Sequence, residues 1–244
     1  MKAILTGHTR GLGAAIAEEL LSRKIAVLGV ARNRNLELEK RFPALLEQTK
    51  VDLSDSTALA RWLAGDALRR FVAGCKNVLL VNNAGIVQPV GPLQTQDAAT
   101  IAQAVGLNVA APLMLSSAVT AAGRDADDIR ILHISSGAAR SAYPGWSVYC
   151  ATKAALDQHA RAVALDRTPH VRICSLAPGV IDTDMQAEIR ATPPERFPSR
   201  ARFVELKRDG RLASPGECAA KLVDYLLGKQ FGQVPVADLR EVTE

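Results

Sequence analysis

Residues 2–13 read KAILTGHTRGLG, a short apolar run that passes directly into a turn carrying Gly7, Gly11 and Gly13. The run has the length and composition of a buried strand, and the alanine-rich segment that follows, to Arg23, has the spacing of an amphipathic helix. Glycines at such a junction permit a tight turn and let a pyrophosphate approach the backbone, where free N–H groups at the helix start meet its charge. A strand, a glycine turn and a helix in this order predict a dinucleotide site that includes Gly7, Thr9, Arg10, Gly11, Leu12 and Gly13.

The same unit repeats outward from this stretch. IAVLGVA, TKVDL, NVLLVNNAG, IRILHISS and VRICSLAPG read as further strands, each followed by a segment with helical periodicity. Strands apolar throughout their length are buried on both faces, so the expected fold is α/β: a single-domain Rossmann-like doubly wound parallel sheet of about seven strands, with helices on both faces. The 244 residues suit one domain, 1–244, because no Pro/Gly/Ser-rich linker, charge run or repeat divides them. Ligands of such sheets lie at the carboxyl ends of the strands, which assigns the dinucleotide to about residues 1–130 and the chemistry and substrate to about 131–244.

Composition narrows the classes further. The net charge is +5, but basic residues are spread along the chain beside acidic ones, as in ARNRNLELEKR, which reads as a mixed solvated surface and not a nucleic-acid face. No uninterrupted apolar run reaches the roughly 18 residues that span a bilayer, so a soluble protein without a membrane partner is expected. The opening residues are too short for a signal peptide. Cys75, Cys150, Cys174 and Cys218 are scattered, with no C-x-x-C pair or histidine cluster to hold a metal, and suit reduced thiols in the cytoplasm.

The second strand ends in GVARNRN. A cofactor with a free 2′-hydroxyl meets an acidic residue about 20 residues past the glycine turn; here Arg32 stands there, with Arg10 inside the turn. Two guanidinium groups suit a 2′-phosphate, so NADP(H) is favoured over NAD, unless one or both arginines merely face solvent. Asp52 either accepts the adenine amino group or caps the helix after it.

In SVYCATK, residues 147–153, helical spacing puts Tyr149 and Lys153 on one face, one turn apart. An ammonium beside a phenol favours phenolate and lowers its pKa from about 10 towards working pH, which equips the tyrosine as an acid or a base. Asn108 and Pro112 stand four residues apart in another helical stretch. Proline has no N–H and crowds the carbonyl of residue i−4, so the Asn108 carbonyl should be released and the helix should bend there.

These motifs together resemble the short-chain dehydrogenase/reductase family: TGHTRGLG, NNAG at Asn82 to Gly85, Asn108 in LNVAAP, Ser136 in ISSG, Tyr149-x-x-x-Lys153, and Pro178-Gly179. The resemblance implies that Tyr149 donates a proton to a carbonyl oxygen as hydride arrives from the nicotinamide, with Ser136 bonding that oxygen. Lys153 would hold the nicotinamide ribose and depress the tyrosine's pKa, and Asn108 would hold a relay water. It also implies cofactor contacts from Leu53, Asn83, Ala84, Gly85, Val180 and Thr183, the last near the nicotinamide amide.

The second half, from about Ser135 to Leu239, is more specifically similar to sepiapterin reductases and benzil-type diketone reductases. That likeness implies a ketone or vicinal dicarbonyl substrate, a pterin side chain or a diketone, and puts a pterin-anchoring carboxylate on Asp238. Trp146 and Tyr143, just before the catalytic tyrosine, would line a flat apolar slot or pack at a subunit contact. The polar stretch 182–212 reads as a lid over substrate or a disordered surface excursion. The family resemblance implies a homodimer or homotetramer built on the alanine-rich helices around VGLNVAAPLMLSSAVTAA and YCATKAALDQHARAVALD, a composition that equally suits packing on the sheet. A nucleotide-sensing protein that kept the fold without the chemistry is the alternative, and the intact Asn108, Ser136, Tyr149 and Lys153 argue against it.

Overall fold

The structure, a computed structural model, describes residues 1–242. Its sheet has seven strands: β1 (Lys2–Thr6), β2 (Ala26–Ala31), β3 (Leu46–Lys50), β4 (Asn77–Asn82), β5 (Asp128–Ile134), β6 (Val171–Ala177) and β7 (Val236–Asp238). They lie in the order β3-β2-β1-β4-β5-β6-β7 and every neighbouring pair is parallel. The order reverses between β1 and β4, and a crevice opens at the carboxyl ends of these two strands.

The helices are α1 (Gly11–Ser22), α2 (Leu36–Arg41), α3 (Ser56–Leu63), α4 (Ala67–Val72), α5 (Ala98–Val105), α6 (Ala111–Ala122), α7 (Ser147–Asp166), α8 (Asp184–Ala191), α9 (Arg200–Arg208) and α10 (Pro215–Leu227). Alternation along each strand sends its apolar side chains to opposite layers. Ala3, Leu5, Val27 and Val81 meet α1 and α10 on one face, while Ile4, Leu28, Val78 and Leu80 meet α3, α4 and α6 on the other. Both faces are covered, as continuous apolar strands require.

Local chemistry sets several helix starts. Asp55 accepts from the N–H groups of Thr57 and Ala58 to start α3, and Ser214 with Glu217 forms a reciprocal capping box on α10. Between α5 and α6 the helix widens into a π-turn, Gly106–Ala110, in which the Ala111 N–H bonds back to the Gly106 carbonyl. Pro112 has no N–H to offer, so neither Leu107 nor Asn108 keeps its usual α-helical donor. The expected disruption before Pro112 therefore takes the form of a π-turn.

Three expectations change. TKVDL is not itself the third strand: β3 lies upstream, at LEQTK, and Val51 and Leu53 turn into the core after it. An edge strand can carry the polar Glu47 and Gln48, which hides it from an apolar-run reading. β7 has only three residues, too few for any periodicity to show. The helix from Ala98 to Ala122, with its few polar residues, is long and apolar enough by length and composition to cross a bilayer, with 28% of its most apolar stretch buried. It nevertheless packs into the domain through Ala104, Asn108, Ala111, Leu115 and Val119.

Candidate active site

The glycine turn is fixed against the end of β4. Asn83 donates through Nδ2 to the carbonyls of Thr6 (3.0 Å) and Gly7 (3.3 Å), and Thr6 Oγ1 accepts from the N–H groups of Asn83 (2.9 Å) and Ala84 (3.0 Å). A Cβ on Gly13 would stand 2.1 Å from the Gly7 carbonyl oxygen and 2.4 Å from Asn83 Nδ2, so no other residue fits there. Helices α2, α3, α5 and α10 start with a side-chain cap; α1 has none, and no acidic residue in its first turn. Its first N–H groups have no side-chain partner, and the start of a helix directly after a glycine turn suits a pyrophosphate.

The residues expected around the adenosine lie near one another. Arg32 directly follows β2 and lies near enough to Asp52 to lower that carboxyl's pKa, after the larger effect of hydrogen bonds from Ser54. Asp52 accepts from both the Ser54 N–H and hydroxyl, while Asp55 caps α3, so Asp52 is not the helix cap. Arg10 is exposed and makes a single long contact, 3.5 Å, to Asp184. Leu53 is buried in the core, leaving only its backbone to face a ligand. Thr183 at the start of α8 closes the other side: its methyl would lie 3.5 Å from a Cβ on Gly11. Val180 and Asp182 are tied by backbone bonds to Ala213, which holds the Pro178-Gly179 turn's exit in place.

The catalytic candidates converge at the ends of β4 and β5. Asn108, in the π-turn, accepts at Oδ1 from the Ile86 N–H (2.9 Å) and donates to the Ile86 carbonyl (2.9 Å) and Thr152 Oγ1 (3.1 Å). Lys153, 5% exposed, donates to the Ile134 carbonyl (2.8 Å). A Cβ on Gly85 would lie 3.2 Å from Asn108 Oδ1 and 3.7 Å from Lys153 Nζ, so the two side chains share one space. Ser136 follows β5, accepts from the Ala138 N–H (3.2 Å), and acts on the Tyr149 hydroxyl's titration through a hydrogen bond.

The comparisons with known proteins agree with this geometry. The family model for short chain dehydrogenase matches residues 1–194. The chain belongs to the short-chain dehydrogenase family. It is 34% identical to benzil reductase ((S)-benzoin forming) of Bacillus cereus, covering 98% of both chains. It is 34% identical to sepiapterin reductase of Mus musculus, covering 93% of this chain and 92% of that one. Among solved structures, a short-chain dehydrogenase/reductase from Burkholderia vietnamiensis is 52% identical with a TM-score of 0.73, covering 99% of this chain and 98% of that one. As a short-chain dehydrogenase the protein is an oxidoreductase, of a family that uses nicotinamide cofactors on small-molecule substrates.

The electrostatics of this short-chain dehydrogenase's site correct one expectation. Burial pushes the Tyr149 phenol up to about 12, a rise that the Ser136 hydrogen bond only partly offsets. Burial also brings the Lys153 amine down to about 8, against the upward pull of Asp157. Helical spacing does put the pair side by side, but Lys153 Nζ is 5.8 Å from the phenol ring centroid and bonded to Ile134. Desolvation therefore sets the direction of the shift, and the phenol is a protonated, donor-ready acid at neutral pH.

The substrate end is built differently from the expected open slot. Trp146 is 4% exposed, stacked on Phe197 at 4.4 Å and edge-on to Tyr149 at 5.3 Å. Tyr143 and Phe203 complete an aromatic cluster with Val87, Val90 and Ile189. Trp146 thus braces Tyr149 from within the core. The 182–212 stretch is ordered, with α8 and α9 supplying Ile189 and Phe203. A Cβ on Gly145, whose φ is +83°, would stand 2.2 Å from the Arg196 carbonyl, so this segment crosses directly over the loop before Tyr149.

Asp238 sits in β7, 4% exposed, and its carboxylate is already taken. Arg240 donates Nε to Oδ1 (2.8 Å) and Nη2 to Oδ2 (2.7 Å), and its backbone N–H adds a third bond at 3.0 Å. The two-donor contact expected from a pterin's guanidine-like edge is made in this structure by the chain's own, largely exposed Arg240. Sequence reasoning also missed Phe197 and Phe203, whose signal was the pair of aromatics in the otherwise polar ERFPSRARF, and His8, whose buried ring bonds Gln48 at 2.7 Å.

Proposed function

We propose that the protein is an NADPH-dependent carbonyl reductase that converts a vicinal dicarbonyl, with an apolar aryl or alkyl body, to a hydroxy ketone. The observation that carries this reading is the buried Tyr149, edge-on to Trp146 and with its ring centroid 5.8 Å from the buried Lys153 ammonium. Bound NADPH would supply hydride to the carbonyl carbon. Tyr149 would pass its proton to the carbonyl oxygen, Ser136 would hold that oxygen, and the charged form of Lys153 would stabilise the phenolate left behind. The aromatic cluster would keep water from the reacting carbon.

Several features support the details. The exposed Arg10 and Arg32 flank the adenosine end and favour a 2′-phosphate, hence NADP(H). Arg240 on Asp238 removes the anchor that a pterin would use, which favours a diketone, as in the benzil reductase relative. Free thiols at Cys75, Cys150, Cys174 and Cys218 suit a reducing cytoplasm. The apolar, largely unburied outer side of Ala98–Ala122 suits burial against a second copy in a dimer or tetramer.

The test is NADPH consumption, followed by absorbance, with benzil, diacetyl and sepiapterin in parallel and Tyr149→Phe as control. Turnover of the diketones that falls by about 10²-fold or more in Tyr149→Phe, while NADPH still binds, is expected. Turnover of sepiapterin alone, or equal rates in the Tyr149→Phe enzyme, would overturn the reading.

A further inference from the structure

Asp157 lies one helical turn beyond Lys153 on α7 and is 1% exposed. A buried carboxylate costs several kcal/mol unless it is charge-paired and hydrogen-bonded, and the helix-to-sheet contact here needs no charge. Yet the site is built for one. Oδ1 accepts from Ser135 Oγ (2.7 Å), at the end of β5, and from Ser175 Oγ (2.8 Å), in β6. Oδ2 faces Arg140 Nε at 3.4 Å, an ion pair without a hydrogen bond. Arg140 in turn donates Nη2 to the Ala237 carbonyl in β7 (2.9 Å). One carboxylate thereby ties α7, β5, β6 and the loop before Tyr149, and Ser135 is the immediate neighbour of Ser136.

The other titratable groups around Lys153 leave Asp157 as its counter-charge. Tyr149 on the same helix is held protonated by burial, with a pKa of about 12. His133 from β5 is held neutral, at about 3, and Cys174 from β6 stays a thiol, at about 11. Asp238 in β7, the next carboxylate beyond Arg140, is bonded to Arg240. Lys153 and Asp157 stand one turn apart on the buried face of α7, Lys153 bonded to the Ile134 carbonyl and Asp157 to the hydroxyl of the next residue, Ser135, with the Arg140 guanidinium on the far side of Asp157.

We propose that Asp157 is a positioning residue for the reaction: its fixed carboxylate supplies the compensating charge for the buried Lys153 ammonium, with Arg140 setting how strongly that charge is felt. This rests on the reading of Tyr149 and Lys153 as the proton-donor pair. Removing the carboxylate leaves burial unopposed, so Lys153 loses its proton at lower pH. Removing Arg140 frees the carboxylate to act on Lys153 more strongly, so Lys153 keeps its proton to higher pH.

The test is the pH dependence of kcat for benzil with saturating NADPH in the parent, Asp157→Asn and Arg140→Gln. Asp157→Asn keeps an acceptor for the two serines, and its alkaline limb is expected to move down by about one pH unit, with kcat near pH 6 close to the parent value. Arg140→Gln, which removes a partly exposed side chain outside the catalytic set, is expected to move the same limb up. A structural role alone lowers kcat at every pH and moves neither limb. An unmoved limb in Asp157→Asn, or in Arg140→Gln should Asp157→Asn fail to fold, would overturn the proposal. Loss of turnover in Tyr149→Phe together with such unmoved limbs would refute the Asp157 role while leaving the proton-donor reading intact.

Discussion

His133 gives the sharpest test of how this interior treats charge. It stands in β5, fully buried, between Asn82 Nδ2 at 3.1 Å and His159 Nδ1 at 3.0 Å. Desolvation, and after it the charges of His159 and Lys153, lowers its pKa from 6.5 to about 3. The folded protein therefore excludes a proton that the unfolded chain binds below about pH 6.5, and stability falls as pH drops from there towards 3. At about pH 5 the gap from the unfolded pKa is about 1.5 units, which at 1.36 kcal/mol per unit costs about 2 kcal/mol; at about pH 7.5 the cost is close to zero. Urea unfolding of the parent and of His133→Gln at these two pH values measures it. Glutamine cannot titrate, so the parent should lose about 2 kcal/mol more than the variant between them. His8 is also lowered by burial and acts alike in both proteins, while His159 bonds His133 directly, so the difference reports His133 together with its coupling to His159. Equal losses would show that the buried imidazole takes up its proton freely, and would refute the reasoning.

Three further outcomes follow from the same geometry. Gly29→Ala would bring a Cβ to 2.6 Å from the His8 ring, so the urea midpoint should fall by the equivalent of about 1–3 kcal/mol, and His8→Ala in the same chain should recover most of it. Arg32→Ser should raise KM for NADPH by about tenfold and leave KM for NADH nearly unchanged in steady-state assays. Pro112→Ala restores an N–H opposite the Asn108 carbonyl, and the resulting shift of the π-turn should lower kcat by about tenfold or more without changing cofactor affinity. Unchanged turnover and an unchanged pH profile would remove any role for the π-turn.

Residues close together in the chain determine much of this protein by themselves. The glycine turn, the apolar strands and the Tyr149 to Lys153 spacing are local patterns, because strand burial, helix starts and one-turn neighbours depend on residues within a few positions of each other. Six strands, both helical layers and the pairing of Tyr149 with Lys153 could be read from them, while the grouping of Asn108 and Ser136 with that pair came from the resemblance to the short-chain dehydrogenase/reductase family. β3 slid from its expected place because pairing with β2, and not its own residues, decides where an edge strand lies. The direction of the Tyr149 shift was beyond the sequence, since desolvation depends on everything that surrounds a group: spacing put an ammonium one turn away, but burial raises the phenol's pKa. Asp238 is a different case, because Arg240 lies only two residues on and its contact was within reach of the sequence, whereas the burial of the carboxylate beside β6 was not. Only tertiary structure brought Phe197 onto Trp146 and Arg140 onto Asp157, contacts between residues far apart in sequence whose energies exist only once the chain has closed.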